Sequence, residues 1–249
     1  MTGQDYIIKT LDNAGFDCGH REAQLLDMLA TMLLETNKSV NLTAIRDYEG
    51  VVIRHFADSL HILKAADTTD IENIGGKKVI DVGCGAGFPS LPLKIFAPGA
   101  DITCLDSTTK KLVFIDRFIE AAELKGIRTL NARAETAARE SAFRERYDVA
   151  VSRAVADLEI LCELCLPLVR PGGLMLAVKG GGAELEFERA ADIIRELGGG
   201  AEQTFRYELE YRKEILRSCV IVIKKISQTP TKYPRKYAQI VKNSQVIHE

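Results

Sequence analysis

The stretch Asp81-Val82-Gly83-Cys84-Gly85-Ala86-Gly87-Phe88-Pro89 places three glycines at alternate positions, directly after the apolar run Val79 to Val82. Pro89 and Pro92 then stand where the first turn of a helix tolerates missing N–H groups. Glycine lets a backbone turn sharply and approach a ligand without Cβ interference, and the helix that follows is expected to offer unpaired N–H donors. Asp106, twenty-three residues beyond Gly83, ends the next apolar run. An acidic side chain roughly 20 residues after the first glycine is placed to accept ribose hydroxyls. Strand, loop, helix and acid in this order predict a site for an adenosine-containing cofactor.

The loop narrows the choice of cofactor. A dinucleotide fingerprint needs glycine or alanine at the last place of G-x-G-x-x-G, and the chain supplies Phe88 counted from Gly83 or Ser90 counted from Gly85. No G-x-x-x-x-G-K-[ST] occurs, which removes a P-loop. What remains is G-x-G-x-G after Asp81, the arrangement of S-adenosylmethionine-dependent methyltransferases. Other chemistry finds little support. Cys162-x-x-Cys165 falls inside an apolar stretch without a second cysteine pair or a nearby histidine, which predicts two buried small side chains rather than a metal or redox site. His55 and His61 are six apart, not the three or four that place two ligands on one helix face, while His20 and His248 are isolated. No metal site is expected.

The elements that must hold this loop follow from periodicity. Ile7, Ile8 and Leu11, then Leu25, Leu29, Met32 and Leu33, then Val52, Phe56, Leu60 and Leu63 recur at helical spacing. From Lys77 the pattern changes to short apolar runs: Val79 to Val82, Ile102 to Leu105, Ile127 to Leu130, Tyr147 to Ser152 and Leu174 to Val178, suited to buried parallel strands. Amphipathic stretches between them, such as Leu112 to Lys125 with Phe114, Ile115, Phe118 and Ile119 on one side, read as helices lying on the sheet. Leu158 to Val169 and Leu185 to Leu197 read as further helices, Pro171-Gly172-Gly173 as a turn, and Gly198-Gly199-Gly200 as a helix stop. Thr204 to Tyr211 and Ser218 to Ile226 are close enough to pair as a hairpin, so the sheet should end antiparallel. The fold class is therefore α/β: a Rossmann-like methyltransferase sheet, mostly parallel with an antiparallel last strand, plus an N-terminal helical extension. The expected division is residues 1–76 helical extension, 77–226 Rossmann-like domain and 227–249 basic tail.

Composition sets the bounds. With 249 residues, 46% hydrophobic and 27% charged, the chain can bury a core and is neither disordered nor fibrous. No run approaches the roughly 18 apolar residues that span a bilayer, and six scattered cysteines suit a reducing compartment, so no membrane association and a cytoplasmic location are expected. The net charge of −2 hides an uneven distribution: residues 1–76 carry six Lys/Arg against twelve Asp/Glu, whereas residues 224–249 carry six against Glu249 alone. The basic end reads equally well as a solvated tail or as a phosphate-contacting one. Lys38, Arg46, Lys110, Lys111, Arg133, Lys179, Lys232, Arg235 and Lys236 are candidate phosphate contacts, with weight only if they share a face.

Six ordered motifs carry a closer resemblance: Asn37-Lys38 with Asn41 to Asp47, Arg54-His55-Phe56-Ala57-Asp58-Ser59, Asp81 to Pro89, Leu105-Asp106-Ser107, Arg133-Ala134-Glu135 and Ser152-Arg153-Ala154. Together they resemble the bacterial ribosomal RNA small subunit methyltransferase G family, also called glucose-inhibited division protein B, from about residue 20 to Lys236. The resemblance implies a methyltransferase that uses S-adenosyl-L-methionine to methylate N7 of a guanosine in the 530 loop of 16S rRNA, guanosine 527, with 16S rRNA or the small ribosomal subunit as partner. It places Gly83 and Phe88 at the cofactor loop, Ala134 and Glu135 beside the adenine, and Arg153 after the fourth strand. Asp106 joins them on the physical argument above. After Lys236 the chain departs from the family's Gly/Pro-containing end and runs on as Tyr237-Ala238-Gln239-Ile240-Val241. Arg54, His55 and Asp58 read equally as a lid over the site or as a buried network joining the extension to the core.

The guanine N7 lone pair is free, so its methylation needs no general base and no catalytic residue is singled out. The absence of Asn-Pro-Pro-aromatic after the fourth strand, where Ser152-Arg153-Ala154 stands, fits ring-nitrogen rather than exocyclic-amine chemistry. The fold by itself leaves two other readings open, a methyltransferase of a small molecule or protein and a non-catalytic RNA-binding assembly factor.

Overall fold

The computed structural model describes residues 2–71, 73–153, 156–180 and 183–244; Ala154 and His248 lie outside the described residues. Helices α1 (Gly3–Asn13) and α2 (His20–Thr36) open the chain. Thr2 and Asp5 form a reciprocal capping box that satisfies two otherwise unpaired donors at the start of α1. A loop then leads to α3 (Tyr48–Val51), capped by Asp47. Helix α3 passes through a π-helical stretch, Val52–Ala57, into α4 (Asp58–Asp67) without leaving helical backbone angles. The π stretch carries Arg54 and His55, and such widened turns often sit at functional sites.

Five strands follow in alternation with helices. They are β1 (Lys78–Val82), α5 (Ser90–Phe96), β2 (Asp101–Asp106), α6 (Thr109–Ala121), β3 (Ile127–Asn131), α7 (Ala134–Ala137), β4 (Tyr147–Arg153), α8 (Leu158–Cys165) and β5 (Val169–Lys179). After α9 (Ala183–Glu196), the hairpin β6 (Gly199–Tyr211) and β7 (Glu214–Lys225) completes one seven-stranded sheet in the order β3-β2-β1-β4-β5-β7-β6. The first five strands are parallel, and β7 runs antiparallel to both β5 and β6. Helix α10 (Tyr237–Asn243) ends the chain's described elements. Strand order reverses between β1 and β4, and in open α/β sheets that crevice at the carboxyl ends of the strands is where ligands bind.

Alternation along the strands sorts side chains into two cores. Val79, Ile102, Val149, Val151, Leu174, Leu176 and Val222 face α1 to α6, packed with fully buried Phe56 and Phe118. Ile80, Val82, Ala150, Met175, Ala177, Ile221 and Ile223 face α8, α9 and the tail. The N-terminal helices thus share a core with one face of the sheet. Truncating either buried phenylalanine to alanine should cost about 3–5 kcal/mol.

Three local expectations are corrected. The turn expected at Pro171-Gly172-Gly173 lies inside β5, which starts at Val169; the register against β4 shifts between Tyr147 and Val149, and Gly172 takes up the irregularity at φ +85°. The helix expected to reach Val169 ends at Cys165 and tightens into a 3₁₀ turn, Leu166–Leu168, because Pro167 cannot continue it. The basic end, for which a solvated tail is one reading, is docked on the domain between Thr229 and Arg235. Thr229 and Tyr233 are buried, and Arg144 reaches under the segment to donate to the carbonyls of Thr229 (2.7 Å) and Tyr233 (2.8 Å). Arg235 forks onto the fully buried Glu163 at 2.6 and 3.1 Å. Lys225, also fully buried, donates to the carbonyls of Leu166 and Leu197 and to the Thr229 hydroxyl, and burial pulls its ammonium down to about 8.

Candidate cofactor and RNA site

At the β1–β4 crevice lies a cavity of about 400 Å³, a size suited to a small-molecule cofactor. Gly83, Phe88, Asp106, Ala134, Glu135 and Arg153, the six residues expected from the sequence, all line it. The sheet order lays it out. The glycine loop after β1 forms one end, Asp106 at the end of β2 the middle, and Ala132 to Glu135 after β3 the far end, with Leu105 and Leu164 as apolar walls. Gly83, Gly85 and Gly87 all take positive φ, from +57° to +90°. A Cβ built on Gly85 would meet no atom within 4 Å, so that backbone borders open space a ligand can enter.

The expectation of free donors at the helix start is corrected. Ser90 donates its backbone N–H (3.1 Å) and its hydroxyl to Oδ2 of Asp81, and Leu91 donates to the carbonyl of Gly87 at 2.8 Å. Gly83 and Cys84 donate to the carbonyl of Leu105, while Gly85 donates to Asp106 Oδ2 at 3.0 Å. The loop is thus closed on itself and is not a phosphate cradle. Asp81 is fully buried, its Oδ1 has no hydrogen-bond partner among the described residues, and burial pushes its carboxyl up to about 7. Asp106 also accepts from the Thr108 N–H at 2.8 Å. A carboxylate has about four lone-pair sites, so two backbone donors leave capacity for ribose hydroxyls.

Arg153 at the end of β4 meets the π-helical stretch. Its Nη1 donates to the Arg54 carbonyl (2.7 Å) and to Asp58 Oδ2 (3.1 Å), and its Nη2 donates to Nδ1 of His55 at 2.8 Å. An arginine has no acceptor, so Nδ1 of His55 is unprotonated and Nε2 carries the hydrogen toward the Thr43 hydroxyl, 2.9 Å away. Burial, with the charges of Arg153 and Arg54, holds His55 well below the usual histidine range, so the ring is neutral. It stacks on Phe88 with centroids 4.3 Å apart and planes 9° from parallel. Tyr207 of β6 donates to Asp58 Oδ1 at 2.7 Å and stacks on His61 at 3.8 Å. His55 and Asp58 join Arg153 in a largely buried network, of which His55 and Arg153 line the cavity, while Arg54 contributes its carbonyl and its side chain is exposed.

The sequence profile of the ribosomal RNA small subunit methyltransferase G family matches residues 22–209. The chain belongs to that family. A methyltransferase G of Acetivibrio thermocellus is 43% identical over 212 residues, covering 85% of this chain and 84% of that protein. One from Halalkalibacterium halodurans is 40% identical over 226 residues, 91% and 92% of the two chains. Among solved structures the chain is similar to a SAM-dependent O-methyltransferase of Thermotoga maritima, with TM-score 0.50 at 13% identity over 80% of this chain and 72% of that one. It is also similar to Pyrococcus horikoshii TYW2 in complex with MeSAdo, with TM-score 0.51 at 13% identity over 69% and 63%. At such identities the likeness establishes the fold, that of S-adenosylmethionine-dependent methyltransferases. A member of the methyltransferase G family is an S-adenosylmethionine-dependent methyltransferase of small-subunit ribosomal RNA.

A second cavity of about 660 Å³ adjoins the first and shares Thr43, His55 and Arg153 with it. Arg54, Lys179 and Arg217 bring positive charge to its walls. Asn37 shapes the neighbouring loop: its side chain accepts from Leu42 and Thr43 N–H groups and donates to the carbonyls of Thr43 and Ile45, which holds Thr43 against His55. Of the nine candidate phosphate contacts, Lys111 and Arg133 line the first cavity and Lys179 the second. Lys38, Lys179, Lys232 and Arg235 are paired with Glu35, Glu186, Glu196 and Glu163, and Arg46 donates to the carbonyl of Asn37, so the set does not form one free cationic face. Thr43, Leu164 and Tyr237 line the first cavity without having been singled out from the sequence, where nothing marks them as neighbours of the glycine loop. Cys162 and Cys165 are fully buried, and burial raises both thiols.

Proposed function

We propose that this methyltransferase modifies N7 of a guanosine in the 530 loop of 16S rRNA, guanosine 527, in the cytoplasm. The observation that carries the reading is the pair of adjoining cavities: one along the carboxyl ends of β1 to β3, and a second that shares His55, Thr43 and Arg153 with it and is lined by both basic and acidic side chains. The first holds S-adenosylmethionine through the glycine loop at Gly83, with Phe88, Asp106, Ala134, Glu135 and Arg153 around it. When bound, the cofactor supplies an electrophilic methyl on a sulfonium sulfur. Asp106 accepts the ribose hydroxyls, and the closed glycine loop presents backbone without charge repulsion toward a ligand that carries no phosphate. The second cavity admits the nucleotide, with Arg54 offering charge to its phosphates, while Lys179 and Arg217 on the same wall are paired with Glu186 and Glu208.

Because N7 carries no proton, the protein's work is alignment and exclusion of water rather than proton transfer. The neutral His55 ring suits that task, since it neither adds a cation beside the sulfonium nor takes up a proton at neutral pH. Residues 1–76 serve as a helical extension that builds one wall, 77–226 as the methyltransferase domain, and 227–249 as a basic tail whose stretch from Thr229 to Ile240 is docked on the second face. Among the described residues no helix is long and apolar enough to cross a membrane. The test incubates the protein with radiolabelled S-adenosylmethionine and, in parallel, naked 16S rRNA or small subunits lacking the modification, then resolves the digested nucleosides. Label in 7-methylguanosine supports the reading and the better substrate identifies the partner; label in another nucleoside, or none with cofactor bound, refutes it.

A further inference from the structure

The far end of the first cavity is closed by a residue from the last described helix. Tyr237 lines the cavity beside Arg133, Ala134 and Glu135, and the Arg133 guanidinium lies 6.0 Å from the centre of its ring. Tyr237 is 39% exposed, while residues two before and three after it are held by contacts with the domain. Two residues earlier Arg235 grips the buried carboxylate of Glu163, and three residues later Ile240 is buried in the second core. Arg144 holds the segment before it by the carbonyls of Thr229 and Tyr233. Tyr237 is therefore a fixed aromatic surface at the mouth of a cavity, supported on both sides and left open on the cavity side.

We infer that Tyr237 stacks on the adenine of S-adenosylmethionine, so that the docked C-terminal segment forms a wall of the cofactor site. This rests on the reading of the first cavity as that site. The layout gives the position. With the glycine loop at one end and Asp106 taking the ribose, a nucleoside reaches beyond β2 to the end of β3, where Ala132, Ala134, Leu105 and Leu164 supply apolar walls. A flat base entering there meets the tyrosine ring, and base–aromatic stacking is substantial for any base because every base has a π face. Arg133, which lines the same end of the cavity, lies over the ring with its guanidinium 6.0 Å from the centroid.

The test titrates S-adenosylhomocysteine and, separately, 5′-methylthioadenosine into the full-length protein by calorimetry, with Tyr237→Ala, Tyr237→Leu and Tyr237→Phe as variants. Tyr237→Ala should weaken both ligands about tenfold or more. Tyr237→Leu, which fills the space without a π face, should weaken them nearly as much, while Tyr237→Phe stays within about twofold of wild type. Melting curves of all three should match wild type, since an exposed ring contributes little to the core. Unchanged affinity in Tyr237→Ala overturns the inference, as does a loss for S-adenosylhomocysteine without one for 5′-methylthioadenosine. Wild-type protein that binds neither ligand would overturn the cavity assignment itself, a result distinct from an indifferent tyrosine.

Discussion

Replacing Asp58 with asparagine tests whether the Arg153 network couples the helical extension to the cofactor wall. The substitution keeps the shape and removes one charge. Arg153 Nη1 lies 3.1 Å from Asp58 Oδ2, with side chains only 13% and 14% exposed. Two unit charges at that distance attract by about 5 kcal/mol at an effective dielectric near 20. Stranding one partner of a buried pair costs about 3–5 kcal/mol, and the one carbonyl oxygen that the amide keeps as acceptor for Arg153 places Asp58→Asn near the lower end, about 3 kcal/mol. With a urea dependence of about 3 kcal/mol per molar, the unfolding midpoint should fall by about 1 M. Tyr207→Phe alone removes one hydrogen bond to the same carboxylate and should cost about 2 kcal/mol. In the Asp58→Asn background it should cost distinctly less, because the charge that strengthened the bond has gone. A midpoint shift below about 0.3 M for Asp58→Asn, or strict additivity of the two changes, would refute the network as an energetic unit.

Three further perturbations probe separate parts of the fold. Gly85→Ala places a Cβ toward the open cavity at φ +57°, so it should lower stability by about 1–2 kcal/mol while weakening S-adenosylhomocysteine binding at least tenfold by calorimetry; intact affinity would move the cofactor away from that loop. Burial pulls His61 down to about 4, so the unfolded chain binds its proton first as pH falls below 6.5; wild type should lose roughly 3 kcal/mol from this group between pH 6.5 and 4, a loss that His61→Phe lacks when the two pH profiles from chemical denaturation are subtracted. Burial raises Asp81 instead, so that group works in the opposite sense over the same window and cancels in the subtraction. Arg144→Ala leaves the carbonyls of Thr229 and Tyr233 without their charged donor and should make the tail cleavable by trypsin after Lys232 in the folded protein; equal protection in wild type and variant would show that Glu163 and Lys225 hold the segment alone.

The glycine-loop cavity was legible because it is built from local segments. Glycines that must turn, an acid one strand later and a pair after the third strand all stand at strand ends, and the parallel order brings strand ends to one edge. Nothing comparable marks Tyr207, which lies 54 residues beyond Arg153 and meets Asp58 only because the β6–β7 register turns its ring toward α4. The π-helical stretch escapes for a related reason: Val52, Phe56 and Leu60 keep a spacing any α-helix would show, and the widening that carries Arg54 and His55 to Arg153 leaves no trace in composition. The tail was misjudged through its charges. Lys232 and Arg235 were candidates for phosphate, yet each has an acidic partner distant in sequence, Glu196 and Glu163, and Lys225 in the same basic end lies 3.6 Å from Glu145. Glu163, buried in the apolar stretch of α8, was the readable warning, since a buried carboxylate needs a donor and the nearest basic residues along the chain do not supply it. The contact that pairs Arg235 with Glu163 also anchors the segment carrying Tyr237 at the cavity, so part of the basic composition of the C-terminal end holds an aromatic ring in place.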